Sequence, residues 1–139
     1  MRIFLSASIR GGRQMLSTYM DICSYLQDRG HEVLSWHVAD PELEKTESLL
    51  TEQEIYTRDM DFLEKSDCLI AEVSTPSIGV GYEVCSALNM CLPVLCLHTL
   101  QANVSAMILG DRRIISKEYQ NSGSMRKAID GFLEKLNGC

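Results

Sequence analysis

The chain has no apolar run approaching the roughly 20 residues a membrane helix needs, and its first residues, 1-MRIFLSASIR-10, read as a strand rather than a secretory leader. Positive charge is in short supply. Thirteen Lys and Arg stand against nineteen Asp and Glu, giving a net charge of −6 and a pI near 5.0. That balance argues against nucleic acid or an anionic membrane as the main partner. It leaves room for a small anion pocket built from backbone amides. None of the six cysteines, Cys23, Cys68, Cys85, Cys91, Cys96 and Cys139, forms a C-x-x-C pair, and no His/Cys cluster has zinc-ligand spacing. Most lie in apolar segments, where a free thiol behaves as a small hydrophobe. The expectation is reduced thiols and an intracellular protein, in the cytoplasm or the nucleus. No metal and no organic cofactor is implied. Repeats, low-complexity stretches and interdomain linkers are missing too, so 139 residues with 45% hydrophobic content fit one domain, 1–139.

What the chain does have is alternation. Short apolar runs at 2–7, 32–38, 67–73, 93–98 and 112–116 predict strands. Amphipathic patterns at 14–28, 51–65, 80–91 and 123–136 predict helices between and after them. The segment 103–108 reads as a loop or a helical turn, and the polar 40-DPELEKTES-48 as a surface loop. Strands alternating with helices mean βαβ units with right-handed crossovers. The expected fold is α/β: a flavodoxin-like, Rossmann-like doubly wound domain on a five-stranded parallel sheet. In such sheets ligands bind beyond the carboxyl ends of the strands, at the switch in strand order. That points to 8-SIRGGR-13, 37-HVAD-40, 74-STPSIGVGYE-83 and 98-HTLQANVSAM-107.

The first of these loops follows a strand and opens a helix. Gly11 and Gly12 allow backbone amides to approach an anion, Ser8 adds a hydroxyl, and Arg10 and Arg13 add charge. It is neither a G-x-G-x-x-G fingerprint nor a Walker loop, so a single phosphate is the natural cargo; the plain alternative is a turn that merely needs glycine. The second loop repeats the design with Ser77, Gly79 and Gly81, and Pro76 stiffens it. Glu83, read here as lying in the first turn of the following helix, has two readings. It is a partner of the helix dipole, or a carboxylate placed beneath a sugar's anomeric carbon, able to stabilise or attack it. Asp59 is the candidate second carboxylate, or surface charge; Asp61 and Glu64 read as solvated. His37, at the end of the second strand, could meet a base or a phosphate.

Taken together, 8-SIRGGR-13, 37-HVAD-40 with 42-ELE-44, 71-AEVSTPSIGVGYE-83 and 105-SAMI-108 resemble the 2′-deoxynucleoside 5′-phosphate N-hydrolases of the nucleoside 2-deoxyribosyltransferase superfamily. The blocks span most of the chain in order. The resemblance implies cleavage of the N-glycosidic bond of a nucleoside 5′-monophosphate to free base and sugar 5-phosphate. It implies that Glu83 is the nucleophile and that Asp59 is the assisting acid. It implies a 5′-phosphate pocket of Ser8, Ile9, Arg10, Gly11, Gly12 and Arg13 with Ser77 and Gly79. His37 would line the base side. It also implies a homodimer in which Ser105 and Met107 complete the neighbouring site.

One position departs from the pattern. Family members that cleave deoxynucleotides carry a tyrosine on the first strand, where this chain has Phe4, and related hydrolases of cytidine monophosphate carry phenylalanine. Loss of that hydroxyl leaves room for a 2′-hydroxyl, so a ribonucleotide substrate stands beside the deoxynucleotide. Two other functions fit the same loops: a non-catalytic nucleotide-binding module and a base-exchange transferase.

Overall fold

The computed structural model describes residues 1–138. Five parallel strands, β1 (Arg2–Ser6), β2 (Glu32–Val33), β3 (Cys68–Glu72), β4 (Val94–Thr99) and β5 (Ile114–Tyr119), lie in the order β2-β1-β3-β4-β5. This is the flavodoxin order, with its switch between β1 and β3. The helices are α1 (Leu16–Asp28), α2 (Leu43–Glu47), α3 (Glu52–Glu64), α4 (Ile78–Asn89), α5 (Ala106–Leu109) and α6 (Ser122–Asn137).

The central strands are mostly apolar because both faces are covered. Alternate residues feed two cores. Ile3, Leu5, Ile70, Leu95 and Leu97 join residues of α1 and α6 on one face. Phe4, Leu69, Ala71, Val94 and Cys96 join Val80, Val84 and Leu63 on the other. Cys68 and Cys96 are buried free thiols pushed up to about 12 by desolvation, so they stay neutral packing groups. Cys85 and Cys91 are exposed free thiols, and Cys139 lies outside the described residues.

The second strand is far shorter than the predicted 32–38. After Val33 the ladder ends at Leu34 N–H donating to Ile3 O, 3.0 Å. The Ser35 hydroxyl then takes over both main-chain groups of Leu5, accepting from its N–H and donating to its C=O at 2.7 Å each. A side chain has replaced the strand partner, and Trp36–Ala39 coils into a 3-10 helix. The segment expected to be a surface loop, 40–48, carries α2, and its Leu43 is 1% exposed. The last strand begins at Ile114 rather than 112 and runs on to Tyr119.

Beneath the switch point, fully buried Glu72 accepts hydrogen bonds from the Ser74 N–H, the Ser74 hydroxyl and the Tyr119 hydroxyl. Ser74 Oγ accepts from Thr99 N–H at 2.9 Å. Burial, and then the Glu72 charge, hold the Tyr119 hydroxyl far above its usual range, so it remains a donor. This knot ties the ends of β3, β4 and β5 together where the loop to α4 departs.

Candidate active site

Two loops meet at the switch point. The loop after β1 and the loop after β3 approach so closely that a Cβ on Gly11 would sit 2.5 Å from Pro76 O and 2.8 Å from Ser8 Oγ. Gly12 holds φ +129°, a conformation L side chains rarely adopt. Ser77 caps α4, its hydroxyl accepting from Val80 N–H at 3.4 Å. Among the described residues, the amides of Ile9, Arg10, Gly11, Ile78 and Gly79 find no hydrogen-bond acceptor. Unpaired amides at the start of a twelve-residue helix make an anion cradle.

The charged members of the first loop do other work. Arg13 donates to Ser8 O at 3.2 Å, Val38 O at 2.8 Å and Asp40 O at 3.1 Å. Its guanidinium therefore fixes the loop to the 3-10 helix rather than standing free for an anion. Arg10 lies at the rim and pairs with Glu52, 2.9 Å. Ser8 is fully buried.

Behind the cradle opens a cavity of about 560 Å³ whose wall includes Ile9, Arg10, Gly11, Ser77, Gly79, Asp59 and Glu83. Residues that the sequence offers as candidates from three separate segments thus share one wall. Ser105 and Met107 line a different, apolar cavity on the far side of the 75–80 segment, which also contains Ile78 and Cys85. Phe4 is 1% exposed, packed under α4 with Val80 and Val84, and is not part of the cavity wall. His37 meets the site through Asp59, its Nε2 lying 3.2 Å from Asp59 Oδ1.

Glu83 is not a first-turn residue. The helix begins at Ile78, earlier than predicted, and has no acid in its first turn. The dipole reading loses its geometric basis, because that effect fades beyond the first turn. Instead, desolvation above all, and then the Asp59 charge, push the Glu83 carboxyl up to about 8. The buried Ser6 hydroxyl and the Arg58 charge oppose that rise. Asp59 moves the other way. Burial works against its charge, but hydrogen bonds from His37 and Arg58 and their charges outweigh it and hold Asp59 below the usual carboxylate range. Two neighbouring acids are thus driven apart in proton affinity.

Two members of the site escaped the sequence reading. Glu47 comes from α2 and lines the cavity. Arg58, on α3, donates from Nε to Asp59 Oδ1 at 2.9 Å and from its terminal nitrogen to Glu47. The available signal was helical spacing: Asp59 lies four residues from both Ile55 and buried Leu63, hence on the inward face. Asp61, two residues away, is half-exposed and pairs with Lys65 at 2.7 Å, as a solvated charge should. Donor atoms of His37, Glu47 and Asp59 converge within 4.8 Å, a chemistry that could hold a metal. Arg58 already bonds two of the three, so the set is an ion-pair network.

A family profile described as nucleoside 2-deoxyribosyltransferase matches residues 3–130. A Methanococcoides burtonii protein, provisionally named 2′-deoxynucleoside 5′-phosphate N-hydrolase 1, is 67% identical over 111 residues, spanning 80% of this chain and 91% of its own. The 5-hydroxymethyl-dUMP N-hydrolase of Esox lucius is 39% identical over 140 residues, spanning 97% of this chain and 94% of its own. The CMP N-glycosidase of Clostridium botulinum shares the fold, with a TM-score of 0.70 at 19% identity over 95% of this chain and 99% of that one. The match runs through both loops of the cradle and both acids, and the chain belongs to the nucleoside 2-deoxyribosyltransferase family.

Proposed function

We propose that this protein hydrolyses the N-glycosidic bond of nucleoside 5′-monophosphates, releasing free base and ribose or 2-deoxyribose 5-phosphate. The observation that carries the reading is one cavity bounded by an amide cradle at one end and by the oppositely perturbed acids Glu83 and Asp59 at the other. The named N-hydrolase relatives support the same reaction. The cradle grips the 5′-phosphate, and that remote binding energy places C1′ over Glu83. The Glu83 carboxylate attacks C1′, the C1′–N bond breaks, and the electron pair leaves with the base, which takes up a proton. Water then cleaves the glycosyl ester and restores the carboxylate. Asp59, held as an anion, suits orienting the sugar and stabilising its developing positive charge better than donating a proton.

The protein acts without a metal, so base release is expected to be unchanged in excess chelator. It acts as a homodimer whose Ser105 and Met107 each complete the neighbouring site. Met107 is 81% and Ile78 is 94% exposed on the face that would be covered. The protein's expected location is the cytoplasm or the nucleus; no helix among the described residues is long and apolar enough to cross a membrane. A panel of nucleoside mono-, di- and triphosphates with matched nucleosides, followed by chromatography of free base, tests the reaction. Release confined to monophosphates supports it. Equal turnover of nucleosides refutes the phosphate requirement, and exchange with an added second base would indicate a transferase.

Two predictions arise here. Nucleophilic attack needs ionised Glu83, so activity should fall as pH drops below the group's proton affinity. The kcat/KM profile of the monophosphate is expected to rise towards pH about 8. Asp59→Asn removes the repelling charge and should move that limb to lower pH; an unmoved limb would contradict the assignment. Phe4→Tyr is expected to shift preference towards deoxynucleotides, raising the dCMP/CMP and dGMP/GMP ratios of kcat/KM. Equal ratios before and after would sink the idea that this buried position selects the sugar.

A further inference from the structure

The proposed reaction asks two acids, one cavity and a dianionic phosphate to coexist. During turnover Glu83 must carry charge while Asp59 already does. The groups facing Glu83 are Asp59 and Arg58 from α3, Glu47 from α2 and the uncharged Ser6 from β1. His37 faces it through Asp59. Arg10 stands at the rim, already paired with Glu52. From the strands beneath, Cys96 stays neutral, and buried Glu72 belongs to the Tyr119 and Ser74 knot. Arg58 is therefore the cation set among these acids, and it is held there from two sides. Its Nε donates to Asp59 Oδ1 at 2.9 Å, and its terminal nitrogen donates to Glu47. The same Asp59 oxygen meets His37 Nε2 at 3.2 Å. Side-chain exposure is 23% for Arg58, 11% for Glu47 and 17% for Asp59, so the network is shielded from solvent and is more than a surface pairing.

We propose that Arg58, braced by Glu47, is a positioning residue of this site: it fixes the Asp59 carboxylate and lays a permanent positive charge beside the two acids, so that both can be anionic in one cavity. The inference rests on the proposed N-hydrolase reading for its consequences in turnover, while its electrostatic part concerns the free protein. A guanidinium suits the task because it stays protonated at any working pH and offers several donors in a rigid plane. It does for these carboxylates what a bound cation would do, without a ligand to lose. Glu47 adds direction: without it, Arg58 could swing towards solvent.

The test uses full-length Arg58→Gln, Arg58→Lys and Glu47→Gln in two measurements. The first is the pH profile of kcat and KM on a nucleoside 5′-monophosphate. The second is ¹³C NMR titration of the Glu83 carboxyl in ligand-free protein, assigned with Glu83→Gln. For Arg58→Gln, kcat should drop at least about 10-fold with KM changed less than about 3-fold, and the ascending limb and the Glu83 titration should both move to higher pH. Arg58→Lys should return the titration towards the parent and recover part of kcat. Glu47→Gln removes an anion but keeps an oxygen that can accept from Arg58 and hold it in place, so its titration should move to lower pH even though the weaker brace lowers kcat. A purely structural role would lower activity without these opposed displacements. An unmoved Glu83 titration in Arg58→Gln, or equal displacements in Arg58→Gln and Glu47→Gln, overturns the inference while leaving the reaction intact. If the titrations move as stated yet no protein releases base from any monophosphate, the placement of charge stands and the reaction falls.

Discussion

Glu83→Gln is expected to reduce base release from a nucleoside 5′-monophosphate at least about 10³-fold, the scale on which removing an attacking group acts, while affinity for that nucleotide changes little. The amide has nearly the same shape as the acid but cannot form the ester. The cradle that grips the phosphate lies in the two loops and the first turn of α4, ahead of Glu83, and is untouched. Isothermal titration beside a base-release assay reads both quantities. A binding module would bind alike and show no release in either form.

The same substitution should stabilise the protein. The Glu83 carboxyl is raised from 4.5 to about 8 in the folded state. Between those values the folded chain holds a proton that the unfolded chain has lost, so stability falls as pH rises through the window. Glutamine removes that dependence. The gain should be near zero at pH 4.5 and on the order of 5 kcal/mol above pH 8, or roughly 10–20 °C in Tm. Thermal unfolding at both pH values measures it. A gain that is equal at both, or a loss at high pH, would mean that Glu83 is not a strained, desolvated acid. Activity and stability thus pull against each other at this residue, as they do where a site is held in an unfavourable state.

Gly11→Ala should be nearly as damaging, through geometry alone. A methyl group there would lie 2.5 Å from a main-chain oxygen, Pro76 O, as well as 2.8 Å from Ser8 Oγ and 3.3 Å from Ser77 Cβ. Backbone cannot yield as the end of a flexible side chain can, so the loops must separate and the amides of both lose their common aim. A displacement near 1 Å costs about 100-fold, and that loss in kcat/KM is expected for the monophosphate. Gly79→Ala is the contrast: its added methyl would meet nothing nearer than Ser77 Oγ at 3.9 Å. It should cost far less. Equal losses in the two variants would argue that the cradle does not depend on the close approach of the loops.

Much of this was legible in the chain because it depends on local chemistry. Strands buried on both faces read as apolar runs, and the glycine and hydroxyl residues in the loops after two of them mark where main-chain amides can gather. What escaped was set by contacts distant in sequence. The truncation of β2 follows from one hydroxyl, Ser35, displacing a strand partner for Leu5, 30 residues away. The α2 segment looked like a polar loop because only Leu43 anchors it, yet it delivers Glu47 to the cavity. Arg13 had the composition of an anion ligand, but its three carbonyl acceptors make it a brace. The depth of Glu83 along α4 was not legible, because the helix starts at Ile78, ahead of two glycines that weaken any helical pattern.

The covalent role of Glu83 is tested most directly by turnover in aqueous methanol. Methanol competes with water for the glycosyl group and yields a methyl glycoside 5-phosphate whose anomeric configuration NMR reads without ambiguity. Two successive displacements through Glu83 predict the β-anomer, the configuration of the starting nucleotide. The α-anomer would show a single displacement by solvent and contradict a glutamate nucleophile.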